Sequence, residues 1–317
     1  IRNSPFLNFW LPYPFTWISR LSFMYSLKRY VHHNADNLEI IHVHEAHWIA
    51  GAVSWSAKGL SVPIVCKEAD FPHKADISYD TPYRKTLSIL RRSLNFIAIT
   101  PAIEESMVQV GISPDRIRYI PNGVEVPSEP AAIIGSKSVI YIGNFTQGTR
   151  RKAFDILFEA WVEVQRKDKE LVMTVLGGGD ASPWQEYLRR NGCEDSVIFA
   201  GSVPDVGLFL KTARMFVLPS RIEGLSNALL EAMSWGVPVV VSDIETHQSL
   251  IKHEDNGIGV PVNDSKALAN AMVELYDDDK LSQRIGEAGR QTVASGYNLT
   301  QIVNSLEELY DDLSKGS

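Results

Sequence analysis

The sequence predicts an α/β protein with two domains, each built on a parallel sheet. Three observations favour this fold class. Short apolar segments alternate with segments of helical spacing along most of the 317 residues, as βαβ units require. Strand segments such as MFVLPS at 215–220 are apolar at consecutive positions, which is typical of strands covered on both faces. A loop-like stretch, PSEPAAIIGSK at 127–137, separates two such series.

The first series predicts two helices, at 47–59 and 102–111, that each end at a glycine. Its predicted strands are 38–44, 63–69 and 96–100, and the segment 118–124 predicts a strand followed by a Pro-Asn-Gly turn. We expect these elements to form a first domain over residues 1–126.

The second series predicts helices at 153–167 and 226–236. Its predicted strands are 138–144, 196–202, 215–220 and 237–243, and the segment 171–179 predicts a strand followed by a glycine loop. We expect a second domain over residues 127–317, with a last helix at 298–315 that packs back toward the first domain.

The aromatic-rich segment 5–30 permits two interpretations. It predicts either a loop and helix packed on the core, or a helix at a membrane surface, since Arg20, Lys28 and Arg29 are interleaved with the aromatic residues. Its prolines confine a helix to residues after about 15. Peripheral contact with the inner face of a membrane is therefore one expectation for this domain.

Composition narrows the choice of partner and compartment. The formal net charge is -7, with 13 Lys and Arg against 11 Asp and Glu up to Glu125, and 18 against 27 after it. An acidic second half argues against nucleic acid. The two cysteines lie far apart and form no disulfide framework, which indicates a reducing, cytoplasmic setting.

The segment RIEGLSNALLEAMSWGVPVVVSD at 221–243 carries the main functional signal. This segment predicts a loop, a helix capped by Ser226 and a further parallel strand. The loop therefore lies at the carboxyl end of the strand that precedes it, which is where parallel α/β sheets bind ligands. The helix N-terminus offers N–H groups to an anion. Glu223 and Glu231 can flank an anion bound there. A carboxylate repels an anion, so these two side chains are useful only for accepting hydrogen bonds from hydroxyl groups. A nucleoside diphosphate sugar has this layout: a ribose, two phosphates and a sugar.

The segment EGLSNALLE at 223–231 resembles the E-x7-E motif of the retaining glycosyltransferases of family 4, which have the GT-B fold. The segments 100–124, 141–161, 197–206 and 296–310 resemble that family in order and spacing. The resemblance covers nearly the whole chain from about position 38. The resemblance implies two Rossmann-like domains, an acceptor-side domain over residues 1–126 and a nucleotide-sugar-binding domain over residues 127–317, with the active site in the cleft between them.

The resemblance also implies a role for each matched position. Glu231 would hold the ribose hydroxyls, Glu223 would contact the transferred sugar, and Lys152 would neutralise the diphosphate; Lys152 and Glu223 are the implied catalytic residues. The remaining implied donor-binding residues are Gly143, Asn144, Val203, Gly224, Leu225, Ser226 and Asn227.

The implied reaction transfers a sugar from a UDP-, GDP- or ADP-sugar to a hydroxyl of a glycan, a lipid-linked sugar or a small molecule, with retention at the anomeric carbon. The leaving diphosphate takes the acceptor proton, so positioning and charge stabilisation dominate, and no metal or other cofactor is expected. Two alternatives stay open: a nucleotide-sugar epimerase of similar fold, and a non-catalytic nucleotide-sugar-binding subunit.

The sequence departs from the family pattern in its second domain at Asn144, where an arginine is frequent. Arg150 and Arg151 are the candidate replacements. Because a missing charge weakens the donor site, this departure supports the non-catalytic alternative.

In the first domain, Ala69 stands where the family often has a histidine. The candidate acceptor-side residues are therefore its neighbours Glu68 and Asp70, together with His44. The glycine-rich first strand of the family is not found in this sequence. We accordingly expect an incomplete first domain, less stable than the second, and a chain that binds nucleotide but transfers sugar poorly.

The segment IHVHEAHW at 41–48 raises a metal alternative, because His42, His44 and His47 are clustered. Zinc needs a further ligand and a fixed geometry. We interpret these histidines as the carboxyl end of a strand near substrate, with no metal.

Overall fold

The computed structural model describes residues 13–44, 48–68, 94–145, 150–167 and 170–315. The chain divides into two compact units. The first comprises Ile1–Ala98, Ile103–Arg118 and Glu308–Ser317, and the second comprises Ile99–Ala102 and Tyr119–Glu307.

The first unit contains a four-stranded sheet whose spatial order follows the chain, β1-β2-β3-β4. Its strands are β1 (Ile41–His44), β2 (Ile64–Glu68), β3 (Asn95–Ala98) and β4 (Ile117–Tyr119), and its helices are α1 (Tyr13–His33), α2 (Trp48–Ser56) and α3 (Pro101–Gln109). β2 pairs in parallel with both β1 and β3. Val65 and Cys66 of β2 are fully buried, which accounts for the apolar run in the sequence.

The helix α1 packs on α2, as the packed interpretation of the aromatic segment predicts. The Lys28 ammonium lies 4.7 Å from the centre of the Trp55 ring, and Val31 is buried. Tyr25 and Tyr30 stay exposed. The helix begins at Tyr13, earlier than predicted, because Pro14 lies in its first turn, where a missing N–H costs no intrahelical hydrogen bond.

The second unit contains a six-stranded parallel sheet in the order β10-β9-β8-β5-β6-β7. Its strands are β5 (Ser138–Ile142), β6 (Val172–Leu176), β7 (Val197–Gly201), β8 (Met215–Leu218), β9 (Val239–Ser242) and β10 (Ile258–Val260). The chain runs outward from β5 to β7 and then, from β8, outward to β10 on the other side. The strand order therefore reverses between β5 and β8, and such a reversal opens a crevice at the carboxyl ends of the two strands.

The helices that connect the strands of this second sheet are α4 (Phe154–Lys167), α5 (Ser182–Arg190), α6 (Gly207–Leu210), α7 (Asn227–Ser234) and α8 (Glu245–Gln248). The last strand, β10, is followed by α9 (Ser265–Asp277), α10 (Asp279–Gly296) and the first part of α11 (Leu299–Lys315). Trp161 of α4 is fully buried, and its indole N–H donates to Ser196 Oγ over 2.9 Å. The two parallel-sheet α/β units confirm the predicted fold class.

The end of α11 belongs to the first unit. There the Tyr310 hydroxyl lies 2.5 Å from His42 Nδ1 on β1. Burial lowers the pKa of His42 to about 4, with a further contribution from His44. A neutral His42 can accept the tyrosine hydrogen bond, so this contact holds the last helix against the first strand.

Candidate functional site

Two of the predicted donor-site residues follow the carboxyl ends of β5 and β8, where the strand order reverses. Lys152 follows β5, and Glu223 follows β8. Lys152 Nζ lies 2.7 Å from Glu223 Oε1, and the two side chains are 28% and 10% exposed. A lysine and a carboxylate separated by 71 positions in sequence thus form one partly buried ion pair.

The residue after Lys152 has an unusual backbone. Ala153 is buried and has a φ of 49°, in the left-handed region that favours glycine. Its N–H donates to Arg150 O over 3.3 Å, which closes a tight turn before α4. This turn directs the preceding lysine toward Glu223.

The helix α7 begins at Asn227, four residues after Glu223 of this ion pair. Ser226 caps the helix by accepting a hydrogen bond from Leu229 N over 3.4 Å, and Leu225 is buried. The first N–H groups of an α-helix have no intrahelical partner, and the helix dipole adds partial positive charge. Gly224, Ser226 and Asn227 therefore lie where the sequence predicts an anion or hydroxyl site.

Asn122 contacts the loop that precedes α7 but lies in a separate turn, at 121–123. The sequence predicted only the turn. Asn122 Nδ2 donates to Asn227 Oδ1 over 2.8 Å and to Leu225 O over 3.3 Å. Because 105 positions separate Asn122 from Asn227, no local pattern indicates the contact. The turn at 121–123 supports the loop from outside.

Glu231 lies on α7 and is half-buried. Burial raises the pKa of its carboxyl group above the ordinary value, and the nearby Asp205 carboxylate raises it further. Asp205 itself accepts a hydrogen bond from Gly207 N over 2.8 Å at the start of α6. Carboxylate oxygens accept hydrogen bonds, so this position suits a partner that supplies hydroxyl donors, as a ribose does.

A cavity of about 210 Å³ opens at the carboxyl ends of β5 and β6. Its walls include Gly143, Asn144, Gly177, Ser202 and Val203, three of which the sequence assigns to the donor. Asn144 Oδ1 accepts a hydrogen bond from Gly178 N over 2.8 Å, so this side chain fixes the glycine loop. A Cβ at Gly177 would lie 2.1 Å from Gly143 O, which explains why a glycine is needed there.

Five buried polar atoms of the second unit have no hydrogen-bond partner within the described part of the chain: Tyr141 Oη, Arg214 Nε, Ser220 Oγ, Thr246 Oγ1 and His247 Nε2. Burial raises the pKa of Tyr141, and the Glu223 carboxylate raises it further. His247 Nδ1 lies 2.8 Å from Ser242 O. Burial lowers the pKa of the His247 ring, and the charges of Glu223 and Lys152 also affect this pKa. Buried polar atoms normally have partners, so ordered water or a hydroxyl-rich ligand is expected near them.

The candidate acceptor-side residues do not share one face of the first sheet. His44 is exposed and pairs in register with Lys67, so the next residue, Glu68, points to the opposite face and is buried. Asp70 and His47 lie outside the described residues. The rings of His42 and His44 stack with centres 4.8 Å apart. No group of three metal-ligating side chains occurs among the residues that the structure describes.

A larger cavity, about 680 Å³, lies elsewhere in the second unit, between the segment 126–134 and α10. Its walls are mostly apolar, and they contain none of the predicted donor residues. Despite its size, this cavity does not suit a phosphorylated ligand, because neither the N-terminus of α7 nor Lys152 lines it.

Two family models match most of the chain. Residues 2–126 match the family described as Glycosyltransferase Family 4, and residues 136–278 match the family described as Glycosyl transferases group 1. These matches support a glycosyltransferase of family 4 with the GT-B fold. The second match contains every donor residue named above, from Gly143 to Glu231.

Two relatives illustrate the chemistry found in this family of glycosyltransferases. The phosphatidyl-myo-inositol mannosyltransferase of Mycobacterium leprae is 27% identical over 301 residues, with 88% of this chain and 74% of the relative covered. The UDP-Gal:alpha-D-GlcNAc-diphosphoundecaprenol alpha-1,3-galactosyltransferase of Escherichia coli is 27% identical over 216 residues, with 64% and 56% covered.

Solved structures show the same fold. HepE of Anabaena in complex with UDP gives a TM-score of 0.79 at 16% identity, with 90% of this chain and 82% of HepE covered. Sucrose-phosphate synthase of Thermosynechococcus elongatus gives a TM-score of 0.79 at 22% identity, with 100% and 83% covered. No helix among the described residues of the present glycosyltransferase is long and apolar enough to cross a membrane.

Proposed function

We propose that this glycosyltransferase moves a sugar from a nucleotide sugar to a hydroxyl acceptor with retention of the anomeric configuration. The observation that carries the proposal is the Lys152–Glu223 ion pair at 2.7 Å, with α7 beginning four residues after Glu223. This arrangement offers positive charge to a diphosphate and a carboxylate to the hydroxyl groups of the adjoining sugar.

The proposed reaction breaks the bond between the anomeric carbon and the diphosphate and forms a bond from that carbon to the acceptor oxygen on the same face. The acceptor proton passes to the leaving diphosphate. Lys152 and the first N–H groups of α7 stabilise the negative charge that grows on the phosphate. Glu223 orients the transferred sugar, Glu231 binds the ribose, and the scheme uses no metal ion.

The donor's base is proposed to occupy the 210 Å³ cavity beside Asn144 and Val203. A cavity of this size suits a single base ring system better than a whole nucleotide. UDP-sugars are the first donors to test, because the E. coli relative is named for UDP-Gal and HepE was solved with UDP. GDP- and ADP-sugars complete the panel.

The acceptor is proposed to be a glycan or a lipid-linked sugar. The names of two relatives, which mention phosphatidyl-myo-inositol and diphosphoundecaprenol, support a lipid-linked acceptor. Such an acceptor would bring the first unit to a membrane surface. Co-sedimentation of the full chain with anionic phospholipid vesicles tests this point, and a chain that stays in the supernatant at low salt contradicts it.

The deciding experiment measures release of the nucleoside diphosphate from UDP-, GDP- and ADP-sugars with and without an acceptor panel. We expect acceptor-dependent release from one donor, with NMR of the product showing retained anomeric configuration. A changed sugar without any acceptor indicates the epimerase instead. Nucleotide binding without turnover across the panel indicates a non-catalytic subunit.

A further inference from the structure

Arg221 connects the two loops that carry the ion pair. It lies two positions before Glu223, and its backbone N–H donates to Arg151 O over 2.7 Å. Its Nη1 also donates to Arg150 O over 2.9 Å. The loop after β8 is thereby attached to the loop after β5, immediately before Lys152.

Asp155 anchors the other side of Lys152. Nη1 and Nη2 of Arg221 donate to its two carboxylate oxygens over 2.9 and 2.7 Å, a bidentate arrangement that suits the planar guanidinium. Asp155 lies in the first turn of α4, and the Arg221 hydrogen bonds lower the pKa of its carboxyl group. Arg221 therefore contacts the chain on both sides of Lys152, at Arg150 and Arg151 before it and at Asp155 after it.

A third loop joins the same side chain. Arg221 Nε donates to Asn263 Oδ1 over 2.5 Å, and Asn263, which follows β10, has a φ of 65°. One arginine thus ties together the loops after β5, β8 and β10. The Lys152–Glu223 distance depends on how the first two of these loops are held against each other.

We propose that Arg221 and Asp155 are positioning residues for the transfer reaction, holding Lys152 and Glu223 at the spacing at which one meets the diphosphate and the other the sugar. The proposal rests on the proposed function above. Neither residue needs to touch the substrate. The side chains of Arg221 and Asp155 are 20% and 41% exposed, and a partly exposed ion pair contributes little to the overall stability of a protein. A strong effect of Asp155 on turnover therefore distinguishes positioning from a merely structural role.

The test compares Asp155→Ala with Glu186→Ala. Glu186 forms an exposed ion pair with Arg189 and Arg190 on α5, in the same unit but away from both loops. We expect Asp155→Ala to lower kcat about 10- to 100-fold, the effect of a small displacement of a catalytic group, with the donor KM changed far less. Glu186→Ala should leave both constants unchanged. Equal effects of the two variants would overturn the proposal.

A double-mutant cycle shows whether the effect passes through Lys152. If it does, Asp155→Ala should cost much less kcat in a Lys152→Ala background than in the wild type. The same loss in both backgrounds would overturn the proposal.

A readout without turnover keeps the two proposals separate. If the wild type shows no turnover, the transferase function fails, and hydrogen exchange then decides the positioning role. In Asp155→Ala, the amides of Ala153 and Arg221 should exchange at least about 10-fold faster, because both hydrogen bonds belong to the joined loops. Unchanged exchange at both amides overturns the positioning role.

Discussion

Lys152 gives the first prediction at the scale of single residues. Its charge meets a phosphate whose negative charge grows as the glycosidic bond breaks, so Lys152→Ala should lower kcat more than it weakens donor binding. We expect a rise of about 2 kcal/mol or more in the activation barrier, by analogy with removal of one stabilising donor. Steady-state kinetics with the preferred donor measures this. A variant in which only KM rises would mean that Lys152 binds ground state and transition state alike.

Glu231 gives a prediction about pH. The pKa of the Glu231 carboxyl group is raised above its ordinary value of 4.5 in the folded protein. Ionisation of this group therefore lowers the free energy of unfolding as the pH rises above 4.5. A ribose donates hydrogen bonds to the ionised form. Nucleotide affinity should therefore increase as pH rises through the raised pKa, and calorimetric titration between pH 5 and 7.5 measures it.

Glu231→Gln is the matched control, since its amide stays neutral and the nucleotide phosphate titrates in both proteins. The extra pH dependence should vanish in this variant. Glu231→Ala should weaken binding about 10- to 100-fold at pH 7.5, the range for hydrogen bonds to a charged group. Equal affinity in a folded Glu231→Ala protein would contradict the ribose role.

Ala153 gives a prediction about backbone strain. A left-handed conformation costs a non-glycine residue roughly 1–2 kcal/mol, while glycine loses about 0.5–1 kcal/mol more entropy on folding. Ala153→Gly should thus leave the free energy of unfolding unchanged or raise it by up to about 1 kcal/mol. Ala160→Gly, in the buried interior of α4, should lower it by about 1 kcal/mol. Equal losses in denaturant unfolding would argue against strain at Ala153.

The sequence predicts some residues of the candidate site and misses others for a physical reason. The helix start and the helix face drew attention to Glu223 and Glu231, and the family resemblance, with a loop after a strand, indicated Lys152; their roles stay predictions. Asn122 and Arg221 act through contacts across 105 and 66 positions, which no local pattern shows.

At the scale of elements, α10 packs against the end of α7 through glycine. A Cβ at Gly286 would lie 2.2 Å from Gly236 O, so Gly286→Ala should lower the free energy of unfolding by about 1–3 kcal/mol. At Gly296, the end of the same helix, no atom of the described residues lies within 4 Å of an added Cβ, and Gly296→Ala should be neutral or slightly stabilising. Denaturant unfolding of the two variants compares them directly, and equal stabilities would contradict close packing at Gly286.

The apolar strands were predictable because parallel strands buried on both faces need consecutive apolar residues. The predictions at 215–220 and 237–243 correspond to Met215–Leu218 and Val239–Ser242. β10 was not predicted: Ile258–Val260 has three residues, one of them glycine, and lies at the edge of the sheet, so its pattern is too short to recognise.

At the scale of the whole molecule, the two units differ in the size of their sheets. Amides in 38–124 are expected to exchange faster than those in 138–243, because four short strands bury less backbone than six. Hydrogen-exchange mass spectrometry of the full chain measures this difference. Equal protection of both ranges would contradict the expectation that the first domain is the less stable.

The same exchange experiment, repeated with a saturating nucleoside diphosphate, tests the central claim most directly. UDP, GDP and ADP are each added to the full chain, and the change in exchange is mapped along the sequence. The account predicts that at least one of them slows exchange at 223–231, near Lys152 and around Val203, where the donor is proposed to bind. Slowed exchange confined to other segments, or none with any of the three nucleotides, would contradict it.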